Sequence, residues 1–230
     1  MKKSIILKVK SKTGWREIRK SVGQVLLGGL ANRSREEVDR HLRELRSYGI
    51  STHAKIPMVM RVGVGLLTTD SRIEVQGEKT VGEVEYVFFL HGERLIVTVG
   101  SDHSDIELEK FSAKRAKQIA PKVLCPAAWY YDELEDHWDR LVLRSWIRKG
   151  GKKVLYQEGA LAVLLPLKEL LALMRQRSGK PLSDAVMFSG TITGMGGIEP
   201  SSRFWIELAD PVLERRLSHA YSVESFPGYY

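Results

Sequence analysis

VGEVEYVFFLHGERLIVTVGSDHSD, residues 81–105, decides how this chain is read. Val, Phe and Tyr dominate 84–90, His91-Gly92-Glu93 interrupts the run, and RLIVTV (94–99) resumes it, which is the pattern of a β-hairpin. Glu83 and Glu85 stand two apart, so on a strand both side chains leave by one face while Val84 leaves by the other. With the turn centred on Gly92, positions summing to roughly 184 face each other, which sets Glu83 opposite Ser101 and beside Asp102. Like charges about 4 Å apart cost about 4 kcal/mol at an effective dielectric near 20, so three gathered carboxylates call for a cation. An all-oxygen set without Cys or His favours a hard ion. Mg²⁺ or Mn²⁺ comes first and Ca²⁺ ranks behind them. The competing reading is an exposed hairpin whose acids are merely solvated.

Working outward, short strands are predicted near 72–76, 82–90 and 94–99, and residues 4–10 read as an edge strand. A helix is expected from Ser34 to about Tyr48. Ser34 and Glu37 form a capping box, Val38, Leu42 and Leu45 an apolar stripe, and Gly49 the stop. Residues 105–119 read as a helix with Lys and Arg on one side, and 129–147 as a helix running into a strand. LPLKELLALMRQRSG is a helix closed by Gly179, and DAVMFSG and RFWIELAD are further strands. Many short strands with few helices imply a mixed, β-rich α+β fold.

Composition narrows the function classes. The 230 residues are 43% hydrophobic and 28% charged, an ordinary globular composition. No apolar run reaches the length of a membrane span, and one Cys rules out an internal disulfide, so no membrane partner and a cytoplasmic location are expected. The net charge of +8 suits either nucleic acid or a small anion. Lys and Arg are spread along the chain without a nucleic-acid signature, so nucleic acid is not the expected partner.

Three further constellations could carry chemistry. His41 and Glu44, three apart on the helix, could form a general-base pair, although an isolated His-x-x-Glu is usually just a charged helix flank. The Gly-rich loop with Gly190, Thr191, Gly194 and Gly196 could hold an anion on its backbone N–H groups, or could be a plain connection. Lys122 could neutralise a substrate carboxylate or carbonyl oxygen.

Taken in order, His41-Leu-Arg-Glu44, Glu83-Val-Glu85, Gly100-Ser-Asp102, Lys122 and Gly190-Thr191-Ile-Thr-Gly194-Met-Gly196 resemble the fumarylacetoacetate hydrolase superfamily. In the IPMVMR stretch Arg61 stands where that family has a lysine, and KGGKKVLYQEG echoes a family segment ending in Gln157. The resemblance covers roughly residues 30–220, which suggests a small N-terminal segment over 1–30 and a catalytic domain over 31–230. It implies the mixed β-roll of the fumarylacetoacetase C-terminal domain, usually as a homodimer. It also implies Mg²⁺ or Mn²⁺ on Glu83, Glu85 and Asp102, and a small anionic substrate of the 2-oxo or 1,3-dicarbonyl carboxylate class. His41, oriented by Glu44, would activate water. Lys122, Arg61, Gly190 and Thr191 would bind the carboxylate and developing charge.

The sequence departs from the family at Ser101 in place of Asn, Ile106 in place of Arg and Ile192 in place of Pro, which bears on substrate identity. The expected activity is hydrolysis of a C–C bond in an acylpyruvate-like acid. Decarboxylation, isomerisation or hydration on the same scaffold is the first alternative, and a non-enzymatic protein that holds an anionic partner the second.

Overall fold

The computed structural model describes residues 2–11, 14–50, 55–193 and 197–226. In chain order, β1 (Lys3–Ser11), β2 (Gly14–Val22) and β3 (Gln24–Gly29) precede helix α1 (Arg35–Ser47) and β4 (Met58–Val62). Short strands β5 (Leu67–Thr68), β6 (Arg72–Gln76) and β7 (Thr80–Val81) lead into the hairpin of β8 (Val84–His91) and β9 (Arg94–Asp102). β10 (Ser104–Asp105), α2 (Ile106–Glu109), α3 (Ala113–Ile119), β11 (Lys122–Leu124) and β12 (Ala127–Tyr130) follow. Then come β13 (Val142–Lys149), β14 (Lys152–Ala160), α4 (Leu167–Ser178), β15 (Ala185–Phe188), β16 (Arg203–Asp210) and β17 (Arg215–Phe226).

One large mixed sheet has the order β2-β1-β12-β9-β8-β15-β3-β4, with β11 and β5 attached beside β9, and it curls into a half-barrel. A five-stranded sheet, β14-β13-β16-β17-β6, packs against it. β8 is buried on both faces. Val84, Tyr86 and Phe88 join one apolar cluster, and Val87 and Phe89 join another. Full burial of each such aromatic is worth about 1.5–3 kcal/mol, so this strand is the mechanical centre of the molecule. No helix among the described residues is long and apolar enough to cross a membrane.

Helix α1 follows its sequence signals closely. Ser34 Oγ accepts from Glu37 N at 3.2 Å. At the other end Gly49 N and Ile50 N donate to Arg46 O and Leu45 O, with Gly49 at φ 77°, which is a Schellman closure. Other elements differ from expectation. β1 is an interior strand, flanked by β2 and β12, so the edge is β2. The 105–119 segment is two short helices, because Ser112 starts a new one by accepting from Arg115 N. The segment 129–147 forms no α-helix. It continues as β12, passes through two pieces of 3-10 helix that bury Tyr131 and Trp138, and enters β13.

The hairpin register also differs by one. His91 pairs with Arg94, so the loop is the two residues Gly92-Glu93, with Gly92 at φ 62°. A Gly at the first loop position suits a tight two-residue turn. Val84, not Glu83, therefore faces Ser101, and Glu85 faces Gly100.

Candidate functional site

The register change leaves the three acids together. Glu83 lies just before β8, and its carbonyl accepts the Asp102 N–H at 3.0 Å. Glu85, Glu83 and Asp102 each offer a carboxylate oxygen, and these atoms lie within 4.8 Å of one another. Glu85 and Asp102 are each 1% exposed, which sets them apart from solvated surface acids. Burial, then the charges of Asp102 and Glu83, hold the Glu85 carboxyl well above the usual carboxylate range.

The Gly190 N–H donates to Glu85 Oε2 at 2.8 Å, and Gly190 adopts φ 91°, which a residue with a side chain rarely tolerates. The backbone of the Gly-rich loop thus orients a carboxylate of the cage itself. Thr191 Oγ1 donates to Val84 O at 2.9 Å and accepts from Gln157 Nε2 at 2.8 Å. Gln157 Oε1 in turn accepts from Val84 N at 3.1 Å, so one side chain ties β14, β8 and the loop together. Gly194 and Gly196 lie outside the described residues.

Two lysines face the cage. Lys122 stands directly across from Asp102 in the β11–β9 ladder, fully buried, with Nζ 2.8 Å from Asp102 Oδ1 and a hydrogen bond to His103 O at 2.5 Å. It sits behind the carboxylate and does not line the cavity, so the expected direct contact with substrate is not available to it in this arrangement. The second, Lys117, was missed from the sequence. Its ammonium pairs with Glu83 Oε2, lies 3.0 Å from Asp102 Oδ2 and 3.6 Å from Glu109 Oε1, and is 8% exposed. A signal for it exists: Ala113, Ala116, Lys117 and Ala120 fall at i, i+3, i+4 and i+7, so Lys117 interrupts the inward stripe of α3. Burial opposes the charge on Asp102, but Lys117 and Lys122 outweigh it and hold that carboxyl low. Glu109 is pushed up to about 7, mainly by burial.

Beside the cage lies a cavity of about 60 Å³, lined among others by His41, Glu83, Glu85, Glu109, Lys117 and Thr191. It is roofed by α1, which brings His41 inward. His41 is 7% exposed and its Nδ1 is buried without a hydrogen-bond partner. Burial pushes its pKa down, so the ring is neutral near pH 7. Glu44 lies half-buried on the same helix, but no hydrogen bond joins it to His41, so the expected orienting contact is not made. Arg61 also departs from expectation. Strand alternation turns Met60 into the cavity and leaves Arg61 exposed, reaching Gly23 O at 3.4 Å.

The residues present suit a hard divalent ion. The donors are all carboxylate oxygens, and both Asp102 oxygens are buried without a well-directed hydrogen bond although ammonium groups stand close. A buried carboxylate with undirected lone pairs is one that a cation can still claim.

Fold and cage together define a molecule of the fumarylacetoacetate hydrolase fold. Three solved structures carry the comparison. A protein described as a fumarylacetoacetate isomerase/hydrolase from Oleispira antarctica superposes with a TM-score of 0.69 at 17% identity, covering 94% of this chain and 98% of that one. A protein described as a fumarylpyruvate hydrolase from Burkholderia cenocepacia gives 0.66 at 15% identity, covering 96% and 92%. A 2-keto-3-deoxy-D-arabinonate dehydratase complexed with magnesium and 2,5-dioxopentanoate gives 0.61 at 14% identity, covering 89% and 74%. Residues 28–221 match the family model described as protein of unknown function DUF2848, and the chain belongs to that family. No curated protein sequence matches it.

Proposed function

We propose that this protein is a divalent-metal-dependent enzyme that acts on short 2-oxo or 1,3-dicarbonyl carboxylates, with hydrolysis of a C–C bond as its reaction. The observation that carries the reading is the buried cage of Glu83, Glu85 and Asp102 opening on the same cavity as the His41 ring. Glu83, Glu85 and Asp102 would hold Mg²⁺ or Mn²⁺. When bound, the ion would supply Lewis-acid polarisation of a substrate oxygen.

The chain's own groups do the rest. The Gly190 N–H fixes Glu85, and Lys122 neutralises the back of Asp102. His41, kept neutral by burial, can accept a proton from water at a ring nitrogen. Lys117 places a positive charge at the cavity wall, where an anionic substrate would enter. The cavity is small in this state, about 60 Å³, and α1 forms its roof, so an outward shift of α1 would enlarge it for a substrate.

A second reading is favoured by one feature. Because Glu44 does not engage His41, the hydrolytic pair is incomplete in this state, and decarboxylation on the same scaffold needs no activated water. The dehydratase among the superposable structures also points away from hydrolysis. A screen of acylpyruvates, oxaloacetate and related 2-oxo acids with added Mg²⁺ or Mn²⁺, read by loss of enol absorbance, tests both. Turnover abolished by EDTA supports the proposal, and its product separates the two reactions. No turnover across the panel contradicts both and leaves a binding role.

A further inference from the structure

Lys117 has no part in the sequence motifs, yet its ammonium lies within 4.0 Å of three carboxylates at the cavity. Its ammonium touches Glu83 and Asp102, two of the three cage acids, and also faces Glu109 at 3.6 Å. Glu109 is a further buried carboxylate, 8% exposed, that stands outside the triad and shares Lys117 with it. A dication seated among Glu83, Glu85 and Asp102 would compete for the oxygens that Lys117 now holds, and would repel an ammonium left in contact with it. Asp102 keeps a second, fixed cation in Lys122, so it stays balanced if Lys117 leaves. The side chain has somewhere to go, since it and Glu109 both line the open cavity.

We propose, resting on the metal reading above, that Lys117 is a tethered counter-ion: its ammonium closes the cage in the ion-free protein and yields to the divalent ion by turning to Glu109, where it faces the incoming substrate carboxylate. A long, flexible lysine is suited to this, because it makes single-point contacts and swings on four carbons. The tether places it at high effective concentration, so removing it strengthens ion binding without adding a ligand.

Calorimetry with Mn²⁺ on the full chain, wild type against Lys117→Met, reads the competition. The expected result is Mn²⁺ affinity raised at least about tenfold in the variant. The same variant is expected to melt earlier in EDTA and to gain more from Mn²⁺ than wild type does. Equal or weaker affinity in the variant overturns the counter-ion role while leaving the metal site intact. Absence of Mn²⁺ binding in both proteins overturns the metal reading and this inference with it. Should the variant fail to fold, wild-type protein labelled with ¹⁵N-lysine gives an independent answer. The buried Lys117 ammonium should be a protected signal that shifts when Mg²⁺ is added, and a signal unmoved under conditions where calorimetry shows bound Mg²⁺ overturns the proposal.

Discussion

Two groups of buried charge sit in this molecule, and they are built differently. Around Asp210, the carboxylate accepts Val212 N and Leu213 N at 3.1 Å and Arg215 Nε at 3.0 Å, with His137 Nε2 also at 3.0 Å. Arg215 also donates to Glu133 at 2.8 Å and lies over the Trp129 ring. Burial opposes the Asp210 charge, but the backbone N–H of Leu213, then His137 and Arg215, hold its pKa low. The cage is the opposite case. Three acids share two ammonium groups, burial and the neighbouring acids push the Glu85 carboxyl well above the usual carboxylate range, and the Asp102 carboxylate meets only the two lysines among the described residues, at 2.8 and 3.0 Å. The Asp210 oxygens are met by directed N–H donors, although His137 Nε2 and Arg215 Nη2 keep no well-directed partner, and a carboxylate held that way stabilises a fold. One left short of cations is a place for an ion.

The contrast is open to direct attack. The largest expected effect on stability is at Asp210. Asp210→Ala leaves Arg215 with Glu133 alone and removes the acceptor of the Val212 and Leu213 N–H groups, so it should cost about 3 kcal/mol in chemical denaturation, with Mn²⁺ affinity of the folded protein unchanged. A loss of ion affinity there would merge two regions argued to be separate. Next is His41→Ala, expected to lower turnover by about 10²–10⁴-fold while sparing Mn²⁺ binding. Retained turnover would remove the general-base role.

Glu85→Gln should behave unlike Asp210→Ala. It should abolish measurable Mn²⁺ binding yet leave the ion-free fold as stable as wild type or more so above pH 7, because it makes permanent the neutral form that burial already favours. Ion-free stability that falls in this variant would mean Glu85 is paired as firmly as Asp210.

The smallest effect is a pH slope. The Glu85 carboxyl is raised in the folded state, so the folded chain holds a proton that the unfolded chain releases. Its contribution is therefore complete below the ordinary carboxylate range and is lost as pH rises through the raised value. Denaturation in EDTA should show ion-free stability declining over that interval, and a flatter profile in Glu85→Gln. Identical profiles would contradict the assignment.

How much of this was legible in the sequence varies by element, and the reasons are physical. α1 was readable to the residue because its signals are local: Ser34 at one end, Gly49 at the other, and one apolar stripe between. The acidic trio was readable because strand alternation and a short turn fix it within some twenty residues, and it survived the one-residue register change because Glu83 and Asp102 are joined by a backbone hydrogen bond just beyond the ladder.

What depends on distant packing was not readable. The place of β1 is set by β12, over a hundred residues away, so an alternating strand looked like an edge. The 129–147 stretch has helical spacing in part, yet burial of Tyr131 and Trp138 holds it in 3-10 turns. Lys117 takes the place at the cavity that was expected of Lys122, since pairing with Asp102 in the ladder buries Lys122 and the inward face of α3 turns Lys117 to the cavity. Arg61 was assigned by analogy of position, and strand alternation turned it away.

The most direct measurement is anomalous diffraction from a crystal of the full chain soaked in Mn²⁺. The expected result is a manganese peak ligated by carboxylate oxygens of Glu83, Glu85 and Asp102. A well-ordered site with Lys117 still against Glu83 and Asp102, and no peak among the three acids, would contradict the assignment of this cluster as a metal centre.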